Sequence, residues 1–314
     1  MYNFNYRLID PLGKDQNKYI KIHNELFKSS RINAEWLIWY HKELVQSDKR
    51  LSNTRTYGLF DREELIGIWS VEPKLMWSNE KQLVKVGRCF AVGISSDYRR
   101  MGLFVTLSKY AIQEEIKISE YEYILGFPQT GRSVIGGHLK AGWNEILFNN
   151  IYSYNLENLI EVNYRKDINL FFDFNTLKIN NQIINSFDEQ ANYKNIRFLK
   201  HPTHQYLTYN YGNSYIVLKT YSTFCHILDL YGDEQEICIL IESCKSICKR
   251  HGLSEINIWS NQYYKYHNAL EKCGFVLGAK FGLPITIIAV NINSTKNLLI
   301  TNSFDFGMGV EEGY

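Results

Sequence analysis

The spacing of apolar residues changes near residue 100. In QLVKVGRCFAVGISS, residues 82–96, apolar and polar residues alternate, which is typical of a β-strand. After Gly102, apolar residues recur at steps of three and four, which predicts an amphipathic helix; they are Leu103, Phe104, Leu107, Tyr110, Ala111 and Ile118. A strand that ends in small residues therefore leads through a short turn into a helix.

The rest of the first half of the sequence shows the same two spacings of apolar residues, alternation in strands and steps of three and four in helices. Helices are predicted at about residues 14–28 and in residues 33–44, where Asn33 is a suitable N-cap. Residues 54–73 predict two strands joined by a turn at residues 61–64. Beyond the central helix we expect a strand, a short helix that ends at Gly142, and a closing strand near residues 144–155.

The second half repeats this order from about residue 205. Residues 120–143 and 254–275 both run strand, loop, helix and then glycine followed by an aromatic residue. The pattern predicts an α/β (α+β) protein of two tandem domains, each a mixed, mostly antiparallel sheet flanked by helices. We place a catalytic domain at residues 1–155, a partly ordered connecting segment at 156–204, and a degenerate second copy at 205–314.

Composition narrows the function classes. The chain has 314 residues and 45% hydrophobic content, enough for two cores, and its 35 Lys and Arg nearly cancel 33 Asp and Glu. The charge balance does not favour binding to nucleic acid or to a membrane surface. The longest apolar stretch falls short of a membrane helix, and the N-terminus lacks a secretory pattern, so we expect a cytoplasmic protein. The six cysteines lack the spacing of zinc ligands, and we expect no metal.

One turn carries candidate chemistry. A string of backbone N–H groups at a helix N-terminus, with arginine beside it, is suited to hold a pyrophosphate. The segment Asp97-Tyr98-Arg99-Arg100-Met101-Gly102-Leu103-Phe104 has this form, and its glycine allows close approach of the backbone. An Arg-x-x-Gly string alone also occurs by chance where a glycine merely relieves a turn.

The strand, the turn and the helix together resemble the GNAT superfamily of N-acyltransferases. Its signature R/Q-x-x-G-x-G/A lies at this turn; Arg99 and Gly102 match it, whereas Phe104 replaces the small last residue. Gly142 followed by Trp143 resembles the family's closing Gly-Phe. The resemblance implies acyl-CoA as co-substrate, bound by the end of the preceding strand and by the turn: Phe90, Ala91, Val92, Arg99, Arg100, Met101, Gly102, Leu103 and Phe104.

The resemblance also suggests catalytic residues. A family tyrosine that protonates the departing thiolate stands four residues before the closing glycine, where this sequence has His138. A histidine near its ordinary pKa can donate or accept that proton, or only hydrogen-bond the substrate or the structure. Glu72 and Glu35 are further candidate bases, although Glu35 also suits a solvated helix position. The second half lacks the phosphate turn and has Leu270 in place of His138, so we expect it to be catalytically silent.

The sequence constrains the identity of the acceptor substrate least. Duplicated GNAT proteins of this size resemble bacterial enzymes that N-acylate nucleotide-linked amino sugars for O-antigen or other surface polysaccharides. Aromatic and polar residues suited to such an acceptor are Trp39, Tyr40, Trp69, Arg88, Gln129, Arg132 and Trp143. Trp39 and Trp69 also suit a core, and Arg88 suits pairing with Glu72. Another small amine (an aminoglycoside, a polyamine or a peptide N-terminus) and a non-catalytic acyl-CoA-binding protein remain alternatives.

Overall fold

The computed structural model describes residues 2–28, 32–78, 81–130, 133–159, 167–171, 173–177, 187–280 and 283–293. The strands are β1 Phe4–Ile9, β2 Arg55–Asp61, β3 Glu64–Trp77, β4 Leu83–Ile94, β5 Tyr123–Gly126, β6 Asn144–Asn155, β7 Asn169–Leu170, β8 Leu207–Tyr211, β9 Ser214–Thr220, β10 Phe224–Tyr231, β11 Glu255–Ser260, β12 Val276–Leu277 and β13 Ile285–Asn291. The α-helices are α1 Gln16–Phe27, α2 Ala34–Ile38, α3 Leu103–Ile118, α4 Ser133–Lys140, α5 Ala191–Lys194, α6 Glu234–Arg250 and α7 His267–Lys272.

These elements form two compact units. Residues 2–146 and 287–293 belong to the first unit, and the described residues of 147–286 belong to the second. The division differs from the expected domains at residues 1–155 and 205–314. The reason is strand pairing: β13 pairs with β5 in the first unit, whereas the second half of β6, residues 150–155, pairs with β11 in the second.

The sheet of the first unit has the order β1-β2-β3-β4-β5-β13. Its pairs are antiparallel except β4 with β5, which are parallel and joined by α3. Helix α1 contacts β3 and β4, and α3 contacts β2, β3 and β4. Alternate residues of the long strand β3 point to opposite faces, so Trp69 and Val71 join the core beneath α3, whereas Glu72 lies on the other face.

The sheet of the second unit has the order β6-β11-β10-β9-β8-β7, with β12 beside β6. Again the pairs are antiparallel except one: β10 and β11 are parallel and are joined by α6. A core of aliphatic side chains and cysteines lies between this sheet and α6. Both units are therefore mixed, mostly antiparallel sheets flanked by helices, which confirms the predicted fold class.

The helix termini follow the capping residues of the sequence. Asn33 accepts a hydrogen bond from the Trp36 N–H at 2.8 Å, which confirms the predicted N-cap of α2. Asp233 caps α6 in the same way through the N–H of Gln235. Helix α2 continues as a π-helical segment, Trp39–Leu44, which the residue pattern did not predict. Within the described residues, no helix combines the length and apolar composition needed to cross a bilayer.

Four buried histidines give the fold a predicted dependence on pH. Burial lowers the pKa of His23 and His138 to about 3 and that of His41 and His226 to about 4. A histidine in the unfolded chain titrates near pH 6.5, so below that value the unfolded state binds more protons than the folded state. The stability contributed by the neutral imidazoles is therefore fully present above about pH 6.5 and is lost as the pH falls toward 4.

We expect the urea midpoint of unfolding to fall between about pH 7 and about pH 5, and to fall less in His226→Gln than in the wild type. The carboxamide of glutamine does not titrate, and His226 is 7% exposed in the folded chain. His251→Gln is the matched control because His251 is exposed. Equal decreases in the wild type and His226→Gln would show that this histidine does not contribute to acid unfolding.

Candidate active site

The turn between β4 and α3 presents unpaired backbone donors. Within the described backbone hydrogen bonds, none is donated by the N–H groups of residues 100–104; the first helical bonds run from Val105 and Thr106 to the Gly102 carbonyl. Gly102 occupies the N-cap with φ 77°, a left-handed conformation that favours glycine, and a Cβ there would meet no atom within 4 Å. The turn is therefore an open, positively polarised helix N-terminus.

Two arginines border this turn. Arg99 is exposed, and its Nε donates to the Ile94 carbonyl at 3.2 Å, which anchors the side chain at the end of β4. Arg100 is exposed and has φ 66°. Met101 is exposed beside them, whereas Leu103 is buried in the core beneath α3. Of the predicted CoA-binding residues of the turn, the arginines, Met101 and Gly102 are therefore accessible to an anion, and Leu103 offers only its backbone.

The end of β4 is irregular. Between the pairs Ile68–Gly93 and Ser70–Phe90, one residue of β3, Trp69, stands opposite two residues of β4, Ala91 and Val92. Ala91 has φ 46°, which identifies a β-bulge. A bulge changes the direction in which the backbone groups of a strand point, and such irregularities are common next to active sites. The position of the bulge could not be predicted from the sequence, because alanine is not a residue that requires a positive φ.

Strands β4 and β5 form a fork. Their parallel pairing includes only Val86–Arg88 with Tyr123–Leu125. Beyond Arg88, β4 continues to Ile94 with no pairing to β5 in the described residues, and this part contains the bulge. Unpaired backbone groups on a strand edge bind an extended ligand by adding hydrogen bonds to the sheet. The turn at residues 99–102 lies at the open end of this fork.

Several buried polar atoms of the first unit have no hydrogen-bond partner in the described part of the chain. The side-chain atoms Trp69 Nε1, Ser108 Oγ, His138 Nδ1 and Trp143 Nε1 are buried and have no hydrogen-bond partner among the described residues. The ring centroids of His138 and Trp143 are 4.7 Å apart, and a Cβ at Gly126, the end of β5, would lie 3.4 Å from the Trp143 ring. Buried polar groups are nearly always paired, so these atoms indicate a place for water or a bound ligand.

Phe104 fills the space for which the family signature has a small residue. Its ring meets His138 edge to face at 5.0 Å and 89°, and a Cβ at position 137 would lie 2.5 Å from that ring. Gly137 thus compensates on α4 for the large side chain on α3. Gly137 was not identified from the sequence, because its role depends on a contact between two helices.

His138 does not have the environment expected of a titrating acid. It is 4% exposed and lies between the rings of Phe104 and Trp143. Burial lowers its pKa to about 3, so the imidazole is neutral near pH 7. It can donate an N–H hydrogen bond to sulfur at that pH, but it is not an imidazolium.

The other two candidate bases differ in position. Glu72 is 1% exposed and is held by three donors: Arg88 at 2.5 Å, the Tyr40 hydroxyl at 3.0 Å and Lys74 at 3.1 Å. This confirms the predicted pairing of Glu72 with Arg88 and makes Glu72 the anion of a buried cluster rather than an available base. Lys74 was not identified from the sequence. Glu35 is exposed in the first turn of α2, as a solvated helix position would be.

Most of the predicted acceptor residues are buried. Trp39, Tyr40, Trp69, Arg88 and Trp143 are each at most 4% exposed, so their rings and guanidinium are covered by protein. Phe90 and Ala91 are also buried, and Val92 is half-buried. Gln129 is half-buried after the end of β5, and Arg132 lies outside the described residues. The sequence did not show which of these residues reach the surface.

In the second unit, strands β10 and β11 form a fork of similar topology, but the residues at its open end differ. Strands β10 and β11 pair over Phe224–His226 and Glu255–Asn257, and β10 has a register shift at Leu228. The Tyr266 hydroxyl accepts a hydrogen bond from the Gly232 N–H at 2.8 Å, so a side chain of the protein occupies the end of β10. Helix α6 begins with acidic residues, Glu234 and Glu236, which disfavour phosphate at its N-terminus.

Solved structures share this architecture over nearly the whole chain. A GCN5-related N-acetyltransferase from Anabaena variabilis superposes with a TM-score of 0.66 at 14% identity, covering 93% of this chain and 73% of its own. A probable N-acyltransferase from Enterococcus faecalis gives 0.68 at 9% identity, covering 92% and 73%. The N-myristoyltransferase of Saccharomyces cerevisiae with bound myristoyl-CoA gives 0.59 at 10% identity, covering 91% and 82%.

The chain has the GNAT acyltransferase fold. At these identities the likeness establishes the fold alone, and the GNAT resemblance drawn from Arg99 and Gly102 is confirmed at that level. No protein-family model and no curated protein matches the sequence. Among the described residues, no group of three His, Cys, Asp or Glu side chains is placed to hold a metal ion.

Proposed function

We propose that this protein is an acyl-CoA-dependent N-acyltransferase whose active site lies in the first unit. The observation that carries the proposal is the turn at residues 99–102, with the unpaired N–H groups of residues 100–104 at the start of a 16-residue helix. The pyrophosphate of CoA accepts hydrogen bonds from these groups, and Arg99 and Arg100 add positive charge. The family of folds supports the same assignment.

The fork between β4 and β5 would bind the pantetheine arm and the thioester of the co-substrate. The two amides of the pantetheine arm bond to the free edge of β4 beyond Arg88, which places the thioester near the bulge at Ala91 and Val92. A backbone N–H of the bulge polarises the thioester carbonyl while the acceptor amine attacks it. The carbon–nitrogen bond forms, the carbon–sulfur bond breaks, and the proton lost by the amine nitrogen ends on the departing thiolate, which leaves as the free thiol of CoA. His138, neutral at pH 7, donates a hydrogen bond to the departing sulfur.

For the acceptor we propose a small amine, with a nucleotide-linked amino sugar of surface-polysaccharide (O-antigen or capsule) synthesis as the first candidate. The support is that duplicated GNAT architectures of this size resemble enzymes of that class; the buried tryptophans and tyrosine contribute no stacking surface. We further propose that the second unit is a degenerate copy of the first. Its matching parallel pair, joined by a helix, supports this, and its acidic helix start and the Tyr266 contact make it catalytically silent.

Release of free thiol from acetyl-CoA and longer acyl-CoAs tests the function. The acceptor panel contains nucleotide-linked amino sugars, aminoglycosides, polyamines and peptides with a free N-terminus. Amine-dependent thiol release that is lost in Arg99→Ala/Arg100→Ala supports the proposal, and the acceptor that is used identifies the substrate class. Binding of CoA by calorimetry without turnover on any amine would instead indicate a non-catalytic acyl-CoA-binding protein.

His138→Asn should lower kcat by about 10- to 100-fold with little change in CoA affinity, because the variant loses a hydrogen bond to the leaving sulfur. The wild-type kcat should show no ionisation of His138 between about pH 5 and pH 8, since burial holds its pKa at about 3. His251→Asn, at an exposed position, is the matched control. An ionisation in this range that disappears in His138→Asn would assign the proton transfer to a titrating histidine instead.

A further inference from the structure

The closed end of the β4–β5 fork is built from buried charges. Arg88 and Leu125 are the last paired residues of the two strands, so the fork begins beside the Arg88 guanidinium. One nitrogen of Arg88 contacts Glu72 at 2.5 Å and the Tyr40 hydroxyl at 2.9 Å. Each of the three residues is at most 2% exposed.

Aromatic rings hold this cluster in place. Tyr40 stacks on Trp36 with ring centroids 4.8 Å apart and planes 8° apart, and its ring lies 5.2 Å from that of Phe90. The Arg88 guanidinium lies 5.7 Å from the centre of the Phe90 ring. Tyr40 therefore has little freedom to rotate away. The cluster of Arg88, Glu72 and Tyr40 forms a wall at the closed end of the fork, and it is held by residues of the helical segment as well as by the sheet.

The bulge of β4 places this wall beyond the reactive end of the co-substrate. Three residue steps separate Arg88 from Ala91, where we place the thioester, which is about 10 Å of strand. An extended pantetheine arm that starts at the turn after Ile94 runs along this edge toward Arg88. An acyl group attached to its sulfur therefore points at the buried cluster of Arg88, Glu72 and Tyr40.

We propose that this cluster limits the acyl group to a chain of fewer than about eight carbons, which spans the roughly 10 Å between the bulge and Arg88, with Arg88 as the residue that determines specificity. The inference rests on the proposed acyltransferase function. A longer hydrocarbon chain would have to separate Arg88 from Glu72, and separating a buried ion pair leaves uncompensated charge in an apolar surrounding. The charged wall thus excludes long acyl chains in two ways. It occupies the space that such a chain would need, and contact with hydrocarbon would leave its buried charges without compensation.

The test compares kcat/KM for acetyl-, butyryl-, hexanoyl- and octanoyl-CoA in the wild type, Arg88→Met and Arg88→Lys. Arg88→Met leaves Glu72 paired with Lys74, 3.1 Å away, so it removes the charge at the wall without leaving an isolated anion. Arg88→Lys retains the charge and is the matched control. Circular dichroism and the urea midpoint show whether each variant is folded.

In the wild type we expect kcat/KM to fall by about 100-fold or more from acetyl- to octanoyl-CoA. In Arg88→Met the ratio of octanoyl to acetyl turnover should rise by at least about 10-fold, and in Arg88→Lys it should stay near the wild-type value. Equal wild-type use of acetyl- and octanoyl-CoA would overturn the inference and leave the proposed function intact, as would a folded Arg88→Met with an unchanged profile. Absence of turnover with every acyl-CoA would overturn both.

Discussion

Gly102→Asp should lower the affinity for CoA by about 10- to 100-fold, the loss expected when a hydrogen bond to a charged group is replaced by repulsion. The carboxylate would stand at the N-cap of α3, beside the N–H groups that we assign to the pyrophosphate. Gly102→Asn has nearly the same shape and tolerates the left-handed conformation equally well, so it should lose much less affinity. Isothermal calorimetry with CoA measures both.

Gly252 is a matched position that controls for the cost of a side chain at positive φ. Gly252, after α6 in the second unit, also has positive φ, 75°, and a Cβ there would meet no atom within 4 Å. Gly252→Asp should therefore bind CoA like the wild type while it carries the same conformational cost as Gly102→Asp. If Gly102→Asp and Gly102→Asn lost equal affinity, the charge at the turn would be irrelevant and the pyrophosphate assignment would fail.

Glu115→Ala should have the largest effect on stability, a decrease of about 3–5 kcal/mol in the free energy of unfolding. Glu115 is fully buried on α3 and accepts hydrogen bonds from Arg55 at 2.6 and 2.8 Å and from the Tyr57 hydroxyl at 2.7 Å. Its removal leaves the charge of Arg55 partly uncompensated, with Glu120 as the remaining partner at 2.7 Å. Urea denaturation followed by circular dichroism measures the change.

The adjacent residue provides the control. Glu114 lies on the same helix and pairs with Lys117, whose side chain is 70% exposed. An exposed pair of this kind contributes about 0–1 kcal/mol, so Glu114→Ala should leave the urea midpoint almost unchanged. Similar midpoints for the two variants would show that the buried network around Arg55 does not stabilise the first unit.

The sequence predicted the elements that depend on local pattern. The three- and four-residue spacing after Gly102 corresponds to α3, and the alternation before it corresponds to β4. Asn33 caps α2 as predicted, and Glu72 pairs with Arg88. Each of these features is determined by residues close in sequence or by neighbouring strands of a hairpin, where the register follows from the turn.

Features that depend on contacts between residues distant in sequence could not be predicted from the local pattern. The depressed pKa of His138 results from its enclosure by Phe104 and Trp143, which no spacing reveals. Candidate acceptor residues such as Trp69 were chosen for their chemistry, whereas their exposure depends on how the helices cover the sheet. The pairing of β13 with β5 joins residues more than 150 positions apart, and the antiparallel pattern of either strand fits several partners.

That last pairing affects how the chain acquires its structure during synthesis. The first unit lacks the neighbour of β5 until residues 288–291 have been made, although all its other strands were completed by residue 126. A nascent chain of residues 1–155 therefore presents an open sheet edge for the time needed to translate the second unit, and such edges promote association. Folding of the first unit is thus coupled to synthesis of β13, and a fragment that ends before residue 285 lacks one strand of this sheet.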